Sequence, residues 1–342
     1  MITTFGEIML RISPSLADER VTQADDYNIQ PGGSESNVAI ALSNLGETSQ
    51  FITCLPDNPL AEKVIRQLKS HSVTTDNVIV KGERVGIYWT ETGIGPRNSY
   101  VIYDRDRSAF SLCDFRSLKW EKILNNSKWF HFSGISPAVS ENISEFLEKL
   151  VNSCYCPYSV DLNFRNKLWD WVNKDSGRIN TIMTNLCQSA TLIAGNESDF
   201  QNIFGFTNDL VNEDEIYNDI AIKCFEKFNK LKYLAISNRN SVSATINNWN
   251  GYLFIRDDAQ FSYKGLSYTI DNIMDRVGTG DSFVAGLIYG ILNKDKLSFQ
   301  EIVDFAVTLS ALNHTTKGDA SFFSANDVFT TMKTKGSGRI IR

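Results

Sequence analysis

Short apolar runs alternate along the chain with longer segments whose apolar positions recur at helical spacing. "TTFGEIML" reads as a strand, "ESNVAIALSNLG" as a helix ending at Gly46, "QFITCL" as a strand, and "LAEKVIRQLKSH" as a second helix. Later come "WFHFSGI", "PYSVDLNF", "ATLIAGN" and "KYLAIS", each followed by a stretch compatible with a helix. Such alternation predicts a largely parallel sheet covered on both faces. Sheets of that kind bind ligands beyond the carboxyl ends of their strands, so the residues just after each apolar run are the ones to inspect.

Two regions break the alternation. Residues 84–113 are rich in β-branched and aromatic residues around a turn at "GIGPRN", and read as paired strands. The polar segment 11–30 is also non-helical. Together they predict a small sheet projecting from the main domain. No internal repeat or long linker marks a second independent domain, so the expectation is one domain over 1–328 and a frayed tail over 329–342 that carries Lys333, Lys335, Arg339 and Arg342.

Composition narrows the class. The 342 residues carry 42% apolar and 22% charged side chains, ordinary for a globular protein, and no apolar run is long enough to span a membrane. The N-terminal stretch lacks the marks of a signal peptide, and the six scattered cysteines read as reduced core residues, so a cytoplasmic protein is expected. A net charge of −6 argues against a general nucleic-acid binder, while an acidic small substrate stays possible because local arginines dominate at contact distance. The three histidines form no cluster with transition-metal spacing; His131 reads as an interior residue.

The chemistry gathers at two glycine-rich helix starts. In "DRVGTGDSF", Gly278 and Gly280 open an apolar helix whose first-turn N–H groups lack internal partners and carry the positive end of the dipole. These donors suit an anion. Asp281 within them makes little sense for binding alone, but makes sense as a general base for a hydroxyl under attack on a phosphoryl group. An ordinary helix cap is the bland alternative. In "PGGSESN", Gly32 and Gly33 permit close backbone approach, and Asn37 offers donor and acceptor on the first turn.

The two motifs together, about two hundred and forty residues apart, resemble the double signature of the ribokinase-like, or PfkB, carbohydrate kinases. "GEIMLRISP", "GIYWTE", "YDRDRSAF", "WFHFSGISP", "DLNFRNKLW" and "NHTTKGD" narrow the resemblance to the branch that phosphorylates 2-keto-3-deoxygluconate. The resemblance implies a three-layer α/β/α fold with a β-sheet lid. It implies that Asp281 is the base, with Gly278, Thr279 and Gly280 as the anion hole. It also implies a sugar site of Gly33, Tyr88, Tyr103, Arg105 and Arg165, the two arginines converging on the substrate carboxylate. ATP would meet Asn163, Arg165, Asn196, Ser237 and Arg239 besides the anion hole, with Asn313 near the adenine. Magnesium would be organised by Asp199 or Glu197, through water, and a monovalent cation activator is left open. A homo-oligomer formed through the lid is the expectation carried by the family.

Three departures stand out. Thr279 replaces the usual alanine, Asp199 takes the place of a glutamate, and "AISNRNSVSA" replaces the usual glycine-containing nucleotide loop. The competing readings are a kinase of a neutral sugar such as fructose, and a non-catalytic sugar-binding regulator that keeps the fold. A nicotinamide dehydrogenase is disfavoured because no GxGxxG follows the first strand.

Overall fold

A computed structural model describes residues 1–336. Its strands in chain order are β1 (Ile2–Phe5), β2 (Met9–Pro14), β3 (Tyr27–Gly32), β4 (Ser49–Ile52), β5 (Cys54–Leu55), β6 (Ile79–Val80), β7 (Ile87–Glu91) and β8 (Tyr100–Asp104). There follow β9 (Trp129–Ser133), β10 (Tyr158–Asp161), β11 (Leu192–Gly195), β12 (Tyr233–Ser243), β13 (Ile246–Ile255), β14 (Ser262–Lys264) and β15 (Tyr268–Ile270). The main sheet runs β14-β13-β12-β11-β10-β9-β1-β4, with β15 also on β13. From β4 to β12 every pairing is parallel; the far edge is antiparallel.

The strands β1, β9, β10 and β11 are buried along their whole length, as a sheet covered on both faces requires. Alternate residues feed two cores. Phe5, Phe130, Phe132, Ile193, Leu234 and Ile236 pack into one, while Ile2, Trp129, Leu192, Ala194, Tyr233 and Ala235 pack into the other. The period-two side-chain pattern of a strand builds the three layers directly. Helices Thr279–Leu292 and Phe299–Asn313 cover the second face, and Gly286 and Gly290 let them approach until a Cβ would strike Ala306 or Ile302.

A separate four-stranded sheet, β3-β2-β7-β8, forms the lid. Here the structure corrects the sequence reading in several places. "TTFGEIML" is two strands in two sheets, because the chain bends at Gly6, where a Cβ would lie 2.1 Å from the Glu35 carboxylate. That buried carboxylate accepts from the Ser133 amide and from the Ser133 and Ser136 hydroxyls. The lid pairing ends at Asp104; Ala109, Phe110 and Cys113 turn inward to the main core. "KYLAIS" leads into the long β12–β13 hairpin rather than a helix. The segment expected to fray from 329 is helical through Thr334, with a Ser324–Asp327 capping box and Phe329 against Phe305. Residues 337–342, with Arg339 and Arg342, lie outside the described residues.

Candidate active site

A cleft of about 1490 Å³ lies between the lid and the carboxyl ends of the parallel strands. Its floor is the start of the Thr279–Leu292 helix. Gly278 caps it with φ 80°, a left-handed conformation that glycine adopts freely, and a Cβ there would fall 1.7 Å from the Asp319 carbonyl oxygen. Gly280, by contrast, has nothing within 4 Å of where its Cβ would stand. Its missing side chain leaves the helix start open to the cleft. Gly33 is forced by packing, since its Cβ would meet the Glu7 carbonyl oxygen at 2.3 Å.

Asp281 is buried, 7% exposed, yet lines the cleft. Ser34 Oγ donates to one carboxylate oxygen at 2.6 Å and Asn37 Nδ2 to the other at 2.7 Å. The two glycine-rich motifs therefore meet at one carboxylate. Burial raises its pKa to about 6, the two hydrogen bonds opposing the rise. It is mostly ionised at neutral pH and close enough in basicity to take a proton. Each oxygen keeps a lone pair for a ligand hydroxyl.

The remaining predicted residues divide. Gly33, Tyr88, Tyr103, Asn163, Arg165, Asn196, Glu197, Asp199, Ser237, Arg239 and Thr279 all line the cleft beside Gly278, Gly280 and Asp281. Arg105 and Asn313 do not. Arg105 is buried and ion-paired with Glu7, in the turn that joins β1 of the main sheet to β2 of the lid. Asn313 is fully buried and its amide points at the Asp319 backbone carbonyl. Asp199 lines the wall but spends both oxygens on backbone amides, Oδ1 on Phe164 and Oδ2 on Asn196. With Asn196 Oδ1 accepting from the Asp199 amide, the pair is a capping box for the helix Glu197–Phe204.

Four contributors escaped the sequence reading. Ser34 holds Asp281. Asp161, at the carboxyl end of β10, is buried at the cleft with its pKa pushed well above the usual range by burial and by nearby Asp281 and Asp199. Asn163 beside it sits at φ 37°, a left-handed conformation that asparagine tolerates better than most side chains. Arg276 faces the cleft and donates to the Ser243 carbonyl. Asp319 closes the wall next to Tyr88. The rule about carboxyl ends of parallel strands pointed at Asp161; the others follow from tertiary placement alone.

The cleft suits a polyanion. Arg165, Arg239 and Arg276 all reach it, and among the described residues none of them has a carboxylate partner. Three guanidinium groups with the open helix start beside them make a built donor set for phosphates. No group of three or more His, Cys, Asp or Glu side chains is placed to hold a metal ion by itself among the described residues. No helix among them is long and apolar enough to cross a membrane.

Comparison with known proteins agrees with this geometry. The chain superposes on the crystal structure of 2-dehydro-3-deoxygluconokinase from Thermotoga maritima with TM-score 0.90 and 35% identity, covering 97% of this chain and 99% of that one. A 2-dehydro-3-deoxygalactonokinase from Haloferax volcanii is 36% identical over 171 residues, 49% of this chain and 53% of that protein. Fructokinase-1 of Oryza sativa subsp. japonica is 23% identical over 328 residues, 93% of each chain. Residues 1–326 match the model of the pfkB family carbohydrate kinases. The chain therefore belongs to that family and is an ATP-dependent sugar kinase.

Proposed function

We propose that the protein transfers the γ-phosphate of ATP to the terminal hydroxyl of 2-keto-3-deoxygluconate, giving 2-keto-3-deoxy-6-phosphogluconate. The observation that carries the reading is the meeting of Asp281, held by Ser34 and Asn37, with Arg165 in one cleft. Asp281 takes the hydroxyl proton as the sugar oxygen bonds to the γ-phosphorus. The bond from that phosphorus to its bridging oxygen breaks, and ADP leaves. The amides around Gly278, Thr279 and Gly280 face the charge on the moving group. Arg239 and Arg276 hold the rest of the triphosphate, with Asn163, Asn196 and Ser237 along its path.

Magnesium bound with the nucleotide supplies charge neutralisation on the phosphates. Glu197 and Asp161, both at the cleft, would hold it through its water shell, while Asp199 already accepts a backbone amide on each oxygen. Arg165 gives the substrate carboxylate a planar donor fork. The lid arginine, Arg105, is turned to Glu7 and takes no part in that clamp as the structure stands. This same feature favours a second reading, a neutral sugar such as fructose, for which one cleft arginine on the sugar side suffices.

A phosphorylation panel separates the two. 2-Keto-3-deoxygluconate, its galactose-derived epimer, fructose and ribose are each offered with magnesium and ATP. The proposal expects the sugar acids to dominate in kcat/KM, and Arg165→Ala to erase that preference. A preference for fructose that survives Arg165→Ala sinks it.

A further inference from the structure

Behind the cleft wall, a buried ion cluster joins the lid to the main domain. Arg11 on β2 places Nη2 2.7 Å from Asp275 and Nη1 2.5 Å from Asp319, while its Nε donates to Thr90 Oγ1 at 3.0 Å. Both carboxylates flank the anion hole. Asp275 precedes Gly278 by three residues, and the Asp319 carbonyl oxygen is the atom a Cβ on Gly278 would strike. The second carboxylate oxygen of Asp319 accepts the hydroxyl proton of Tyr88. Arg11, Asp275, Asp319 and Tyr88 are all buried, and Tyr88 and Asp319 still line the cleft.

A tyrosine hydroxyl has one proton. With that proton given to Asp319, Tyr88 Oη meets the cleft with lone pairs alone, and an ionised Asp319 is likewise an acceptor without a donor. At Tyr88 this wall accepts from a ligand hydroxyl and has nothing to offer a keto or carboxylate oxygen. Donors lie elsewhere in the cleft, at Tyr103, Arg165 and the helix start. We propose that Arg11 is a positioning residue for substrate selection. By holding Asp319 as an acceptor it makes Tyr88 a reader of hydroxyl groups, so the sugar acid lies with a hydroxyl on Tyr88 and its carboxylate toward Arg165. The inference rests on the kinase reading above.

The charges around Asp319 give the inference a pH signature. It faces Arg11, Asp275 and Tyr88, and feels Asp281 across the cleft, while the Asn313 amide touches its backbone carbonyl. Burial, above all, and Asp275 push its pKa up, and Arg11 pulls it down. Without the guanidinium, two neighbouring buried carboxylates share no cation and one takes up a proton. A protonated Asp319 is a donor, and the wall loses its selectivity.

Steady-state kinetics with 2-keto-3-deoxygluconate and magnesium-ATP, from pH 6 to 9, test this on wild type, Tyr88→Phe, Arg11→Gln and Arg11→Lys. Tyr88→Phe should raise the sugar KM roughly tenfold to a hundredfold and leave the ATP KM unchanged. Arg11→Gln should show the same defect at pH 6 and recover as pH rises and Asp319 ionises again, and Arg11→Lys should stay within a few-fold of wild type. A defect in Arg11→Gln that is equal at every pH, or that falls on ATP, overturns the proposal. Should Arg11→Gln fail to fold, an unchanged sugar KM in Tyr88→Phe overturns it instead. A wild-type protein that turns over no sugar acid overturns the kinase reading itself, and the proposal with it.

Discussion

Asp281, the proposed base, is one carboxyl group whose environment works against its charge. A native pKa near 6, above the ordinary aspartate value, means that the folded state disfavours the ionised form. As the proposed base it must be ionised, so kcat/KM should fall about tenfold per pH unit below 6 and level off above it. The sign for stability is opposite: ionisation at neutral pH weakens the fold, and the penalty fades as pH drops through 6. Asp281→Asn should therefore lose about 10²–10⁴ in rate while melting no lower than wild type. Calorimetry and a coupled ADP assay on one preparation check both. Asn37→Asp places a second carboxyl where the amide now donates at 2.7 Å, and should move the acidic limb to higher pH. A pH profile unchanged by that substitution would show that Asn37 does not tune the base.

At the scale of elements, the two glycines of one helix start have separate duties. Gly278 is held by its left-handed φ and by the Asp319 carbonyl, so Gly278→Ala should destabilise the fold by at least about 1–2 kcal/mol in denaturant titration. Gly280 has open space, and Gly280→Ala should keep the stability and weaken ATP instead. Both helix starts were legible in the sequence because caps, glycines and first-turn residues act locally. The parallel strands were legible because period two and complete burial leave an apolar run. The break at Gly6 was not, since it depends on Glu35 lying against that backbone from another element. The β12–β13 hairpin was hidden by polar residues that have helix-compatible neighbours in sequence. Arg105 was misplaced for a related reason: "YDRDRSAF" shows an arginine near the site, and nothing in it shows that Glu7, almost a hundred residues earlier, answers the charge.

The whole molecule carries a net charge of −6, and it gathers three arginines without carboxylate partners around one cleft. That local excess of positive charge suits anionic ligands. Magnesium-ATP at a hundred times its Kd should stabilise the native state by about 2.7 kcal/mol, read as a rise in Tm. Arg239→Ala with Arg276→Ala should abolish most of the rise, and Asp281→Asn should keep it, because binding and proton removal reside in different groups. Ser34, Asp161, Arg276 and Asp319 come from four distant stretches of chain, and only the closed fold brings them to the same cleft. The most direct measurement is product formation from 2-keto-3-deoxygluconate and magnesium-ATP, followed by phosphorus NMR for wild type and Asp281→Asn. Wild type should give a single phosphomonoester on the terminal carbon, one for each ADP, and the variant, which still binds ATP, almost none. Turnover by Asp281→Asn within tenfold of wild type would contradict it.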